Sequence, residues 1–213
     1  MNTPVRVKIC GITNRDDALA AIDAGADALG FNLFPGSRRH VLLSALTPWL
    51  PSLKILRVAL MVNPSLQDIL EAAPFFDVIQ LHGHEPAALS AQAAAIASIW
   101  KAFPLDDALD EATIAPYQAQ AILIDTSLPG AFGGTGVLID LDKAARFVQS
   151  LPTRQVWLSG GLNLGNVAAA IAKVRPHGVD VSTGVELPGN PRRKDHSRIR
   201  DFIAAARSAS ALD

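Results

Sequence analysis

The chain has 213 residues, 49% of them hydrophobic, enough to bury a substantial core and too many for a disordered polymer. Its 19 Lys and Arg balance 20 Asp and Glu, so no long-range field draws it to nucleic acid or to an anionic membrane, and only a local anion site is left open. A single cysteine rules out an internal disulfide, no apolar run reaches the roughly 18 to 20 residues that span a bilayer, and MNTPVRVKIC lacks the pattern of a secretory signal; a cytoplasmic protein is expected.

In chain order, short β-branched apolar runs alternate with longer, alanine-rich amphipathic segments. VRVKIC (5–10) comes first and is followed by NRDDALAAIDAG (14–25), whose polar start and glycine stop predict a helix. ALGFNLF (28–34) leads into PGSRRHV (35–41), and ILRVALMV (55–62) precedes a helix predicted over SLQDILEAA (65–73). DVIQLH (77–82), SIWKAF (98–103), AILID (121–125), QVWLSG (155–160) and GVDVST (178–183) complete the set of eight runs. The fifth unit, DDALDEATIAPYQAQ (106–120), carries a proline and little periodicity, while the last helix is predicted from near Asp195 through SRIRDFIAAARSA. Eight βα units without a Ser/Gly/Pro-rich linker predict an α/β fold, a single-domain (β/α)8 TIM barrel spanning 1–213, with a doubly wound open sheet as the alternative.

Strand side chains two apart share a face. Val5, Val7 and Ile9 suit packing under helices, which turns Lys8 and Cys10 together into the barrel. Gln80 and His82 share a parity, Asp125 ends its run, and Asp180 and Ser182 alternate with Val179 and Val181. These polar groups converge at the carboxyl ends of strands, where barrels of this type build active sites. A lone cysteine is often an inert core residue, but a lysine on its face and a glycine after it favour reactivity. His82 reads equally as a structural or a catalytic histidine. Lys8 is expected to favour the thiolate of Cys10, and Asp125, as an acid, is expected to need a raised pKa.

Two glycine-bearing segments, LSGGLN (158–163) and VSTGVE (181–186), follow the seventh and eighth runs. Either alone is a tight turn; at these two positions together they point to a phosphate cradle built from Gly160, Gly161, Ser182, Thr183 and Gly184. The partner is then a small phosphorylated metabolite. An arginine of PGSRRHV could hold a carboxylate in a bidentate pair or be a solvated surface charge. The glycine-rich stretch TSLPGAFGGTG (126–136) reads as a lid or as an ordinary connection. Phe132 and Trp49 could serve a lid or an interface, and monomer and homodimer are both open.

KICGIT (8–13), SRRH (37–40), QLHG (80–83), LIDT with GGTG (123–126, 133–136), LSGGLNLGNV (158–167) and DVSTGVE (180–186) together resemble the phosphoribosylanthranilate isomerase family over nearly the whole chain. The resemblance implies a (β/α)8 barrel of tryptophan biosynthesis that carries out an Amadori rearrangement without cofactor or metal. It implies Cys10 as general base, Asp125 as general acid and Arg39 as the ligand of the anthranilate carboxylate. Lys8, Gln80, His82 and Asp180 are then expected to face substrate. Two departures stand out: His40 replaces the family's usual tyrosine, with Arg38 as an extra cation, and PGNPRRKD carries extra residues before Lys194-Asp195. A related barrel isomerase of a phosphoribosyl-imidazole substrate is disfavoured, because such enzymes are expected to carry an aspartate where Cys10 stands. A non-catalytic phosphate-sugar binding module would need neither Cys10 nor Asp125.

Overall fold

The computed structural model describes residues 4–126 and 137–210. Eight parallel strands follow one another around a closed barrel in sequence order. They are β1 (Arg6–Cys10), β2 (Ala28–Asn32), β3 (Leu56–Met61), β4 (Val78–Leu81), β5 (Ser98–Pro104), β6 (Ala121–Asp125), β7 (Gln155–Leu158) and β8 (Gly178–Val181). The helices that link them are α1 (Arg15–Asp23), α2 (Leu43–Leu46), α3 (Leu66–Ala72), α4 (Ala87–Ala94), α5 (Glu111–Ile114), α6 (Leu141–Ser150), α7 (Val167–Val174) and α8 (His196–Ser210). Closure of the sheet rules out the doubly wound alternative. No helix among the described residues is long and apolar enough to cross a membrane.

Local chemistry sets the helix ends. Asn14 caps α1 by accepting from the Asp17 amide, and Ser65 with Asp68 forms a reciprocal capping box at α3. Asp195 accepts from the amides of Ser197 and Arg198 at the start of α8. The segment after β2 supplies one α-helical turn and a 3-10 turn at Leu50–Ser52, and the segment after β5 a single α-helical turn, the latter in keeping with the weak periodicity of 106–120. An element not expected from the sequence is a small antiparallel hairpin, β9 (Glu186–Leu187) and β10 (Asn190–Lys194), inserted between β8 and α8. It accounts for the extra residues of PGNPRRKD.

Alternation along the strands divides the core into two shells. Val7, Ile9, Leu29, Phe31, Ile79, Ile122, Val156 and Val179 point outward and pack under the helices. Ala28, Val58, Val78, Trp100, Ala102, Ala121, Leu123 and Trp157 form a separate apolar cluster inside the barrel, with the two indoles 4.6 Å apart. Further along the same strands the lumen turns polar. Lys8 stands in register with Asp180 across the β1–β8 seam and bonds its carboxylate at 3.0 Å.

Candidate active site

The polar end of the lumen opens into a cavity of about 190 Å³ whose wall brings together Cys10, Asn32, Arg39, His82, Asp125 and Asp180 with the glycine segments after β7 and β8. All five residues of the expected phosphate cradle, Gly160, Gly161, Ser182, Thr183 and Gly184, line it. Thr183 begins a single 3-10 turn, Thr183–Val185. Gly160 has a φ of +93°, and a β-carbon there would collide with Thr126 and come within 3.1 Å of Asp125 Oδ1. Only glycine lets this loop approach the carboxylate so closely.

Cys10 ends β1 on the lumen face, 6% exposed, next to Gly30 of β2. A β-carbon at Gly30 would sit 2.7 Å from the thiol sulfur and 3.0 Å from Lys8 Cε, so glycine is what makes room for both. Burial pushes the Cys10 thiol up and the Asp180 carboxylate adds to it; Lys8 and Lys194 pull the other way without reversing the sum. Lys8 acts on the thiol in the expected direction. Its ammonium does favour the thiolate, but burial and Asp180 outweigh it, and the thiol keeps its proton in the ligand-free site. Lys8 itself is fully buried and outside the cavity wall. Burial alone would lower its pKa, but Asp180 and Cys10 hold it above the ordinary value. Lys8 therefore anchors Asp180 from below and does not reach the space that substrate would occupy.

Asp125 ends β6 across the lumen. Burial pushes its carboxyl up, yet the hydrogen bond and charge of His82, the Thr126 amide at 2.7 Å and the Ser159 hydroxyl bring it below the usual carboxylate range. The raised pKa expected for an acid is thus not found in the ligand-free site. The reason is His82, whose Nε2 lies 3.4 Å from Asp125 Oδ2. His82 is in turn bonded through Nδ1 to Gln80 Nε2 at 2.9 Å. Gln80 is fully buried beneath His82 and does not line the cavity, so the expected substrate contact for Gln80 is corrected to a contact with His82. Strand parity shows which face a side chain takes; it does not show how deep in the lumen the residue lies.

Of the two adjacent arginines, Arg38 is exposed and Arg39 turns into the cavity, 7% exposed. Arg39 Nε bonds Glu186 Oε1 at 2.5 Å and Nη2 bonds Thr183 Oγ1 at 2.8 Å. Lys194 reaches the same Glu186 oxygen at 3.3 Å and the Ser182 carbonyl at 3.1 Å. Burial pushes the Glu186 carboxyl up, but Arg39 and Lys194 hold it below its ordinary value. The Arg39–Glu186–Lys194 cluster fixes the guanidinium against the segment that follows β8. Neither Glu186 nor Lys194 was assigned a role from sequence, although both fall inside quoted motifs; the partnership spans 147 residues between Arg39 and Glu186. Asn32 and Leu60 also line the cavity and carry no local motif that marks them, while Ser159 and Asn163 line it from inside LSGGLN without having been singled out. The stretch 127–136, read as a lid or connection and containing Phe132, lies outside the described residues.

Comparison with known proteins points one way. Residues 7–205 match the family model described as N-(5'phosphoribosyl)anthranilate (PRA) isomerase. The N-(5'-phosphoribosyl)anthranilate isomerase of Citrifermentans bemidjiense is 40% identical over 216 residues, covering 97% of this chain and 99% of that protein. Monomers of the dimeric phosphoribosylanthranilate isomerase from Thermotoga maritima superpose with a TM-score of 0.80 at 36% identity, over 96% of this chain and 99% of that one. A phosphoribosyl anthranilate isomerase in complex with reduced 1-(o-carboxyphenylamino)-1-deoxyribulose 5-phosphate gives a TM-score of 0.81 at 35% identity, over 96% and 99%.

Proposed function

This chain belongs to the N-(5'-phosphoribosyl)anthranilate isomerase family, and on that premise we propose that Cys10 and Asp125 carry the two proton transfers of its reaction. The enzyme converts N-(5'-phosphoribosyl)anthranilate to 1-(2-carboxyphenylamino)-1-deoxyribulose 5-phosphate, a step of tryptophan biosynthesis. The observation that carries the residue assignment is a thiol and a carboxylate ending strands β1 and β6, on the wall of one cavity whose remaining side is the glycine-built cradle.

Asp125 gives a proton to the ribose ring oxygen as the bond from C1' to that oxygen breaks, and the lone pair of the anthranilate nitrogen forms the Schiff base. The Cys10 thiolate then takes the proton from C2'; the electrons of that C–H bond form the C1'–C2' double bond, and the imine pair returns to nitrogen. The enol-amine so formed tautomerises to the ketose. The raised proton affinity of Cys10 and the lowered one of Asp125 favour the proton on Cys10, the reverse of what these roles require. Both arrangements hold the same number of protons. The reactive form is therefore reached by redistributing one proton within the site, and its fraction is set by the coupled pair, independent of pH between the two titrations.

Gly160, Gly161, Ser182, Thr183 and Gly184 hold the phosphate, Arg39 the anthranilate carboxylate, and Asp180 contacts the bridging amine. Arg39 suits its task because Glu186 and Thr183 fix its planar fork before substrate arrives. His82 holds Asp125. The chain works in the cytoplasm as a monomer or a homodimer; the dimeric Thermotoga maritima relative supports the second form.

The test is the decay of phosphoribosylanthranilate fluorescence, with the substrate generated in situ. Cys10→Ser and Asp125→Asn are each expected to slow turnover by about a hundred-fold or more while remaining folded. Near wild-type turnover in either variant removes that residue from its role. Absence of turnover by the wild-type chain would return the binding-module reading.

A further inference from the structure

The two ends of the Gln80 amide, next to His82, are treated differently. Its Nε2 lies 2.9 Å from His82 Nδ1, whereas its Oε1 is buried with no hydrogen-bond partner among the described residues. In this orientation the amide donates, so Nδ1 accepts and the imidazole hydrogen is on Nε2, facing Asp125 Oδ2. With the imidazole in this neutral form, the His82–Asp125 pair has no acidic proton to deliver; the charged form of His82, which lowers the Asp125 carboxyl, holds that proton.

Adding the proton an acid needs gives one of two hydrogen-bonded forms. In one, an imidazolium faces a carboxylate; in the other, a carboxylic acid donates to Nε2 of a neutral imidazole. Both forms carry a hydrogen on Nδ1, which requires an acceptor where the amide now presents a donor. A half-turn about the terminal torsion of Gln80 brings the unpartnered Oε1 to that place. We propose that Gln80 is a positioning residue for the acid: its amide turns its carbonyl to His82 Nδ1 as the His82–Asp125 pair takes up a proton, and so holds the pair in its proton-donating form. When Asp125 passes that proton to the ring oxygen, the pair loses one proton and one unit of positive charge. The proposal rests on Asp125 being the acid. It replaces the direct substrate contact expected for Gln80 with a role exerted through His82.

The titratable and charged groups that line the cavity together with the pair are Cys10 of β1, Arg39 after β2 and Asp180 of β8. Behind the backbone next to His82, Lys101 of β5 pairs with Glu85 at 3.0 Å and bonds the Gly83 carbonyl. Gln80→Glu and Gln80→Met leave every one of these groups in place. Glutamate supplies a permanent acceptor for Nδ1–H, and methionine supplies none while keeping a similar length.

The experiment is a pH titration followed by nitrogen NMR on protein labelled at its histidines, with the His82 signals identified by their loss in His82→Asn. In the wild type at high pH the hydrogen is expected on Nε2. The His82 midpoint is expected to rise by about one pH unit or more in Gln80→Glu, a factor of ten in proton affinity, and to fall in Gln80→Met. The pH profile of kcat/KM, read by the fluorescence assay, is expected to move in the same direction in each variant. An unmoved midpoint in the folded variants overturns the proposal, and if Gln80→Met does not fold, Gln80→Glu alone decides. A midpoint that moves while the kcat/KM profile stays fixed leaves Gln80 coupled to His82 but overturns its part in the reaction, and Asp125 as the acid with it. Turnover lost in Asp125→Asn together with a midpoint unmoved in both Gln80 variants leaves the acid assignment standing and removes Gln80 alone.

Discussion

At Lys194 burial and charge oppose each other directly. The ammonium is 2% exposed, and burial lowers its pKa to about 8, with Arg39 pushing the same way and Glu186 and Cys10 resisting. Because the folded value lies below the ordinary lysine value of 10.5, the unfolded chain binds more protons than the folded one between pH 8 and 10.5, and stability rises with pH across that window. Below pH 8 both states are protonated and the burial cost is constant. Wild type is therefore expected to gain on the order of 2 kcal/mol relative to Lys194→Met as the pH is raised from 8 towards 10, read by urea unfolding of both proteins. A difference that stays flat over that range would show that Lys194 does not change its proton affinity on folding. Nothing in the string PRRKD distinguishes this lysine from its exposed arginine neighbours. Its environment is assembled from Glu186, Ser182 and Cys10, and only the fold brings them to it. Cys10 and Asp125 were legible because each is the last residue of an apolar run, so strand parity and the strand-end rule suffice to place them.

Among the elements, the β9–β10 hairpin is bonded to parts of the chain far from it in sequence. The Lys194 amide donates to Asp17 Oδ2 at 2.9 Å, His196 Nε2 bonds Asp17 Oδ1 at 2.9 Å, and Thr13 and His40 are tied to Arg192. The fully buried Asp17 of α1 thus fastens the hairpin and the start of α8 to the loop after β1. Burial would raise the Asp17 pKa, but the His196 bond, the Lys194 amide and Asn14 together lower it. Its stabilisation is present above the ordinary carboxylate range and is lost as the pH falls through the depressed folded value. Asp17→Ala leaves buried donors without an acceptor and is expected to cost about 3 kcal/mol in thermal or urea unfolding near pH 7. That cost should shrink on acidification, and a cost independent of pH would remove the carboxylate from the account. The eight barrel strands could be read from sequence because each satisfies its own alternating pattern. The hairpin could not. Its strands are short, turn through Gly189, carry Pro191 and three basic residues, and bury little, so they are defined by their bonds to Asp17, Thr13 and His40.

At the scale of the whole molecule the lumen is divided between an apolar half and a reactive half. Trp100 and Trp157 fill the first, 4% and 1% exposed, and are not part of the cavity wall. Trp157→Ala is expected to destabilise the barrel by about 3–5 kcal/mol. In the fraction that remains folded, kcat should stay within a few-fold of wild type in the fluorescence assay. A large loss of kcat with little loss of stability would show that the two halves are not separable. The barrel architecture was legible from the βα alternation along the whole chain. The depth of Lys8 and Gln80 was not, since it depends on strand stagger around the closed sheet, which no single strand encodes. The β1–β8 seam carries a last consequence, for the making of the protein. Lys8 finds Asp180, Asp17 finds the Lys194 amide, and Asp27 finds Arg207, across 172, 177 and 180 residues. A chain emerging from the ribosome therefore displays its first strand, with the only thiol of the sequence, for almost the entire time of synthesis. Cys10 is open to oxidants and electrophiles over that interval, and it is shielded only when the eighth strand arrives to complete the ring.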